Sequence, residues 1–413
     1  MLDNFNIAVL FIPIIGAIIA WVTNIVAVKM MFYPTEFVGI RPFLGWQGIV
    51  PANAERLARV SNKLVMTKLL TLEELFADFK PEVFGQNLGH VIDEITDQII
   101  QEIAEKHAPA MWQNAGEFMQ DKVRASVREE VEQVLLRISG DLSDNITSIL
   151  DLEQVVVDAV LEDRELMSRM FLDVGDEEFK FIIRSGLYFG FLFGLIQMAI
   201  WVVYPQWWIL PVFGFLNGYI TDWVAIRLVF EPQKPKKIGP FTFQGVFHKR
   251  QAEVATGFST LVAGKVLSPD NIVKTVSTGE TGDRVLNIVD TRIDELIDKY
   301  AAHPMAAMVI SDAAMIDEIR SDIKERTHQD FNKPGGMLHV FAAKAIDIKD
   351  NLERRMKALP SDEFEGVLRP AFQQDEWKLI LAGGILGGLA GLAQLVFMFA
   401  DKVDLPNFLS YFS

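Results

Sequence analysis

The chain contains no cysteine, which excludes disulfides, thiolate metal sites, iron–sulfur clusters and cysteine nucleophiles. Histidine is nearly as scarce. His90, His107, His248, His303, His328 and His339 stand apart, with no His-Glu-x-x-His and no close pair, so a local metal motif is missing. There is no Gly-x-Ser-x-Gly elbow. A basic excess is also lacking: 39 Lys and Arg face 55 Asp and Glu, and the net charge of −16 argues against a broad electrostatic grip on nucleic acid. With no acid/base or nucleophile grouping in sight, the expectation is a protein that is not an enzyme and has no metal, no cofactor and no nucleic-acid partner.

What the chain does have is apolar sequence, segregated from its charges. Half of the 413 residues are hydrophobic and 23% are charged, yet Ile7 to Val28 carries no charge at all. At about 1.5 Å per residue that run crosses a hydrocarbon layer of ~30 Å. Arg184 to Asp222 is again free of charge between its ends and too long for one helix, with Pro205, Gln206, Trp207 and Trp208 dividing it as an interfacial turn. Leu379 to Ala400 is the last such run. Four spans follow, at 7–28, 186–204, 208–228 and 379–400. The N-terminus, MLDNFN, lacks the basic start of a secretory signal, so the first span is expected to stay in the chain.

Lysine and arginine near the span ends fall on one side: Lys29, Arg41, Lys180, Arg184, Arg227, Lys234, Lys236, Lys237, Arg369 and Lys378. The other side holds Asp3, the uncharged Pro205 turn and a tail with Asp401, Lys402 and Asp404. By the positive-inside rule the segments 33–185 and 231–377 are expected in the cytoplasm, and the protein in a bacterial plasma (inner) membrane.

Sliding the chain by 198 residues sets Pro13 on Pro211, Gly16 on Gly214, Thr23 on Thr221, Asn24 on Asp222, Ala27 on Ala225, Lys29 on Arg227, Phe32 on Phe230 and Pro34 on Pro232. After a one-residue gap the offset becomes 197, and Gln47-Gly48 meets Gln244-Gly245. At the same offset Gly186, Gly190, Gly194 and Gln197 meet Gly383, Gly387, Gly391 and Gln394. The expected fold is therefore an all-α membrane protein built as a tandem parallel duplication, residues 1–204 and 205–413, each with two spans around a mainly helical segment.

Those segments have diverged in charge. Tyr33 to Gly186 holds 15 basic and 28 acidic residues, Glu231 to Trp377 holds 20 and 23. Val91, Ile95, Ile99 and Ile103, then Val123, Val127, Val131, Val134 and Ile138, recur at helical spacing, as do Leu286, Val289, Ile293 and Leu296. Such stripes pack against neighbouring helices or present a surface to lipid, a protein partner or another copy of the chain. The connector after each odd-numbered span is rich in Gly and Pro with Phe43, Trp46, Phe241 and Phe243, and is expected to fold back onto the membrane.

Polar groups inside a membrane are costly, which singles out Thr23, Asn24, Thr221, Asp222, Gln197 and Gln394, with Lys29 and Arg227 close by. Asp222 is expected to pair with Arg227 or, through the repeat, with Lys29. These groups serve either as a proton or ion relay or, structurally, as hydrogen bonds between helices while Lys29 and Arg227 snorkel to the interface. Gly186, Gly190 and Gly194, with Gly383, Gly387 and Gly391, recur every fourth residue and read as seams where two helices touch. Taken with Asp151-Leu152 and Asp347-Ile348, the Thr23-Asn24 motif, its copy and the closing glycine spans resemble the bacterial domain-of-unknown-function 445 family. That resemblance implies a multispan, helical membrane protein and supplies no activity. Two functions remain on this reading: a scaffold that binds lipid or a partner, or a transport or channel component using the polar residues of the first and third spans.

Overall fold

A computed structural model of the chain describes residues 7–398, apart from 41–43, most of 70–95, 303–312 and short breaks near 332–335, 345–346 and 370–372. Asp3, Arg41, Pro42, Phe43, His90, Val91, Ile95, His303 and the tail with Asp401, Lys402 and Asp404 lie outside the described residues. The described chain is helical save for two short antiparallel hairpins. It divides into two compact units, 1–65 with 160–258 and 353–413, and 66–159 with 259–352.

The first unit holds four helices long and apolar enough to cross a membrane: Ile12–Phe32, Asp176–Val203, Ile209–Phe230 and Glu376–Met398. Their ends differ from the apolar runs, each for a local reason. Pro13 has no N–H for the carbonyl one turn earlier, so Ile7–Leu10 forms a separate turn and the first span starts at Ile12. It then runs past Lys29 to Phe32. Tyr33 takes the extended conformation favoured before Pro34, and Glu231 does the same before Pro232. The second span starts ten residues before the expected Gly186, because Asp176, Glu177 and Glu178 suit a helix N-terminus and Phe179 to Ser185 continue the helix.

The first span packs along the second and the third along the fourth, while second–third and first–fourth contacts join the two pairs. The seams are made of glycine. A Cβ on Gly190 would lie 2.7 Å from the Gly16 carbonyl, and one on Gly387 would enter the Gly214 carbonyl outright. Near the Tyr204–Trp208 turn, Trp201 is fully buried among Val9, Ile12, Ile209, Leu210 and Leu395. Outward faces carry Ile14, Ile18, Tyr188, Leu192, Ile385, Leu389 and Phe397, all exposed. A stripe of that size belongs in lipid.

Each odd-numbered span leads into a hairpin. Val38–Ile40 pairs with Leu44–Trp46, and Lys236–Ile238 pairs with Phe241–Phe243. Gly48 and Gly245 follow with the same backbone angles, and their N–H groups donate to the carbonyls of Pro34 and Pro232 at 2.9 and 3.0 Å. A Cβ at either would strike the backbone of Phe32 or Phe230. Trp46 Nε1 donates to the Met30 carbonyl at 3.1 Å, which ties the first hairpin to the foot of its span.

The second unit is a helical bundle. Gly116–Asp144 lies against Gly279–Ala301, and Ala313–Phe331 also packs on the latter. The buried line of Gly279–Ala301 is Val285, Val289, Ile293 and Ile297, so Leu286 and Leu296 flank the stripe instead of centring it. In Gly116–Asp144 only the later part, Val134, Ile138 and Leu142, is buried, while Val123 is exposed. Charged pairs line these contacts: Arg292 with Asp141 at 2.7 Å, Lys299 with Glu130 at 2.6 Å, Arg320 with Asp294 at 2.8 Å.

Candidate functional site: polar groups between the spans

Thr23 and Thr221 are buried, and each hydroxyl donates to a carbonyl of its own helix at 3.1 Å, Ala20 and Gly218 respectively. Asn24 reaches across to the second span, where Nδ2 donates to the Ile182 carbonyl at 2.9 Å. Asp222 holds the corresponding place in the second pair of spans. It is 1% exposed, and its Oδ2 lies so close to Gly383 that a Cβ there would overlap it. Among the described residues no donor reaches either carboxylate oxygen.

The expected pairing of Asp222 with a cation is therefore wrong. Arg227 is exposed, lies 4.8 Å over the Trp223 ring and pairs with Glu231 at 3.5 Å. Lys29 is exposed in the last turn of its helix. The reason is angular: five residues along a helix turn it by about 140° beyond a full revolution, so Asp222 and Arg227 face different ways. Gln197 and Gln394 are buried with unpartnered Nε2 atoms. Gly186, Gly190 and Gly194 lie against Ala20, Gly16 and Pro13, and Gly383, Gly387 and Gly391 against Gly218, Gly214 and Leu210.

Sequence reading missed a second set of groups, at the feet of the spans. His248 Nε2 lies 2.9 Å from the Phe230 carbonyl and 3.2 Å from Glu365 Oε2; with acceptors on both sides, that nitrogen is the one carrying hydrogen. Gln233 donates to Glu365 at 2.9 Å, and Arg369 pairs with Glu365 and with Glu376 at 3.2 Å while lying 4.5 Å over the Phe230 ring. Burial opposes the Arg369 charge, but Glu365 and Glu376 outweigh it and raise the guanidinium above its ordinary value. At offset 197, Pro51, Ser168, Leu172 and Phe179 correspond to His248, Glu365, Arg369 and Glu376. There Phe179 meets Phe32 edge-on, at 5.2 Å. Comparing positions aligned at this offset for those ionisable on one side alone would have found this network.

Two ion pairs join residues of 1–204 to residues of 205–413. Arg250, after the third span, holds Glu178 at the head of the second at 2.8 Å, and Arg56, after the first, holds Asp375 just before the fourth. Glu178 and Asp375 correspond at offset 197. In the helical unit, Asp322 accepts from Lys106 at 2.6 Å and contacts His107 at 3.0 Å, and these bonds lower its carboxyl below the ordinary value. Glu318 completes a group of possible metal ligands with His107 and Asp322, but the Lys106 ammonium stands between the two carboxylates.

Four apolar helices packed through glycine seams, with lipid-ready outer faces, make this a membrane protein. The comparisons agree. The chain is 28% identical over 140 residues to a UPF0754 membrane protein of Lysinibacillus sphaericus, covering 32% of this chain and 35% of the relative. It is 29% identical over 163 residues to one of Rippkaea orientalis, covering 39% and 38%, and 46% identical over 65 residues to one of Microcystis aeruginosa, covering 15% and 16%. The matches thus span little more than a third of the first two relatives' length. Their shared name corrects the resemblance to the domain-of-unknown-function 445 family. No family model and no solved structure matches.

Proposed function

We propose that the protein is a non-catalytic membrane scaffold, a parallel duplication of residues 1–204 and 205–413 with both large segments in the cytoplasm. The duplication is supported by the two span pairs and the two hairpins, which recur at offsets of 197 or 198, and by the acids of the two crosswise ion pairs, Glu178 and Asp375, which also correspond. The cytoplasmic assignment rests on the lysines and arginines at the span ends.

One observation favours a binding role for the helical segments. Met111, Phe118 and Met119 are exposed where Pro109–Asn114 leads into Gly116–Asp144, and Phe118 is 74% exposed. Exposed, large and adaptable apolar side chains outside the spans suit a protein partner. A photo-crosslinking residue at position 118, used in native membranes, is expected to give a discrete heavier species, at twice the mass if the partner is a second copy. Absence of any crosslinked species would overturn the proposal. Transport is the second reading, favoured by the unpartnered carboxylate of Asp222.

A further inference from the structure

The two copies solve the same contact with different chemistry. In the first, Asn24 Nδ2 lies 2.9 Å from where a Cβ on Gly186 would stand and donates to the carbonyl of Ile182. In the second, Asp222 Oδ2 lies against Gly383, and the carbonyl in the place of Ile182 is that of Leu379. A carbonyl only accepts. The N–H of an amide satisfies it, and so does the O–H of a carboxylic acid, whereas a carboxylate would set lone pair against lone pair. Ser185, which also donates to the Ile182 carbonyl, is Ala382 in the second copy, so the Leu379 carbonyl has no donor from that position.

The ionisable groups on the elements packed around the third span are engaged elsewhere. Glu178 is paired with Arg250, Lys180 with Asp176 and Glu177, Glu376 with Arg369, Lys378 with Asp375, and His248 with Glu365 and the Phe230 carbonyl. Lys29, Arg184 and Lys249 are exposed. Among the described residues an ionised Asp222 would have neither countercharge nor donor, an arrangement that buried charges avoid. The second copy also concentrates acid and base groups, from Asp222 down to His248, Glu365 and Glu376, at positions where the first has Asn24, Pro51, Ser168 and Phe179.

We propose that Asp222 is a proton-binding site within the membrane: it fills the seam as the neutral acid, its O–H donating to the Leu379 carbonyl as the Asn24 amide donates to Ile182. The second copy then differs from the first by one exchangeable proton held between two spans, which goes beyond a purely structural brace.

Infrared spectroscopy of the whole protein in lipid nanodiscs near neutral pH tests this. The wild-type minus Asp222→Asn difference is expected to show a carboxylic-acid C=O band that moves on ¹³C-labelling of aspartate. Asp222→Asn is expected to unfold at the wild-type temperature, since its amide restores the arrangement of the first copy. Loss of an ionised-carboxylate band in place of the acid band would overturn the proposal. If Asp222→Asn does not fold, the labelled wild type decides by itself: a protonated-aspartate band supports the site, and its absence refutes it.

Discussion

Gly387 and Gly140 both lie within helices, yet they have opposite expected responses to a methyl group. A Cβ on Gly387 enters the carbonyl of Gly214 on the neighbouring span, and nothing in that backbone can move aside cheaply. Gly387→Ala is therefore expected to destabilise the protein by about 1–3 kcal/mol, the usual range for overpacking. A Cβ on Gly140 meets nothing within 4 Å. Gly140→Ala is expected to stabilise by about 0.5–1 kcal/mol through helix propensity alone. Thermal unfolding of the two variants in detergent reads both signs, and a neutral Gly387→Ala would mean that the seam is looser than the contacts imply. The seam glycines were legible in the sequence because their spacing of four repeats in two aligned spans. The partner of Asp222 was not, because nearness along the chain says nothing about azimuth: Arg227 is close in sequence and turned away in space.

Between elements, the ion pairs carry the testable content. Arg250 and Glu178 are both substantially buried and meet through two bonds, 2.8 and 3.0 Å, from one guanidinium nitrogen. Hydrogen bonds to charged groups in such settings contribute about 1.5–3 kcal/mol. A double-mutant cycle with Arg250→Met and Glu178→Gln is expected to return a coupling of that order, and a coupling near zero would remove the crosswise clasp as a stabilising feature. In the helical unit the sign of the pH response follows from Asp322 and Asp294. Lys106 and then His107 lower the Asp322 carboxyl from its ordinary value of 3.8. Burial pushes Asp294 up, but bonds from Lys324 and Arg320 outweigh it and lower the group overall. A depressed folded-state value contributes stability that is complete above the unfolded value and disappears as pH falls through the folded one. Acid titration followed by circular dichroism is thus expected to leave the helical signal intact down to about pH 4 and to lose part of it below, earlier in Asp322→Asn than in the wild type. Helical periodicity revealed these elements but not which of their residues are buried. In Gly116–Asp144 the apolar spacing continues through Val123 and Val127, yet burial begins only at Val134. A stripe records what a helix offers, and the neighbour decides how much is used.

At the scale of the whole molecule the question is which way the chain runs through the membrane. The four apolar runs and the two offsets were readable because a bilayer imposes long uncharged helices and because matching residues recur at fixed spacing along the chain. The crosswise clasp was not readable, since Arg56 and Asp375 belong to no shared motif and are brought together only when the first and fourth spans pack. Orientation is carried by charge. Cations near the first span's end, the second's start, the third's end and the fourth's start fall on one side, and Gln206 in the turn between the second and third spans falls on the other. Because the chain has no cysteine, single cysteines report on it against a clean background. In intact cells a membrane-impermeant maleimide is expected to label Gln206→Cys and to leave Glu318→Cys untouched until the membrane is opened. Both positions are polar and lie outside the apolar helices, so neither outcome depends on disturbing a seam. Labelling of Glu318→Cys from outside would invert the protein and place the helical unit, with its exposed Phe118, on the opposite side from that proposed. Labelling of both positions alike would mean that an even number of spans separates them in place of the one expected, and the duplication as two span pairs would fail.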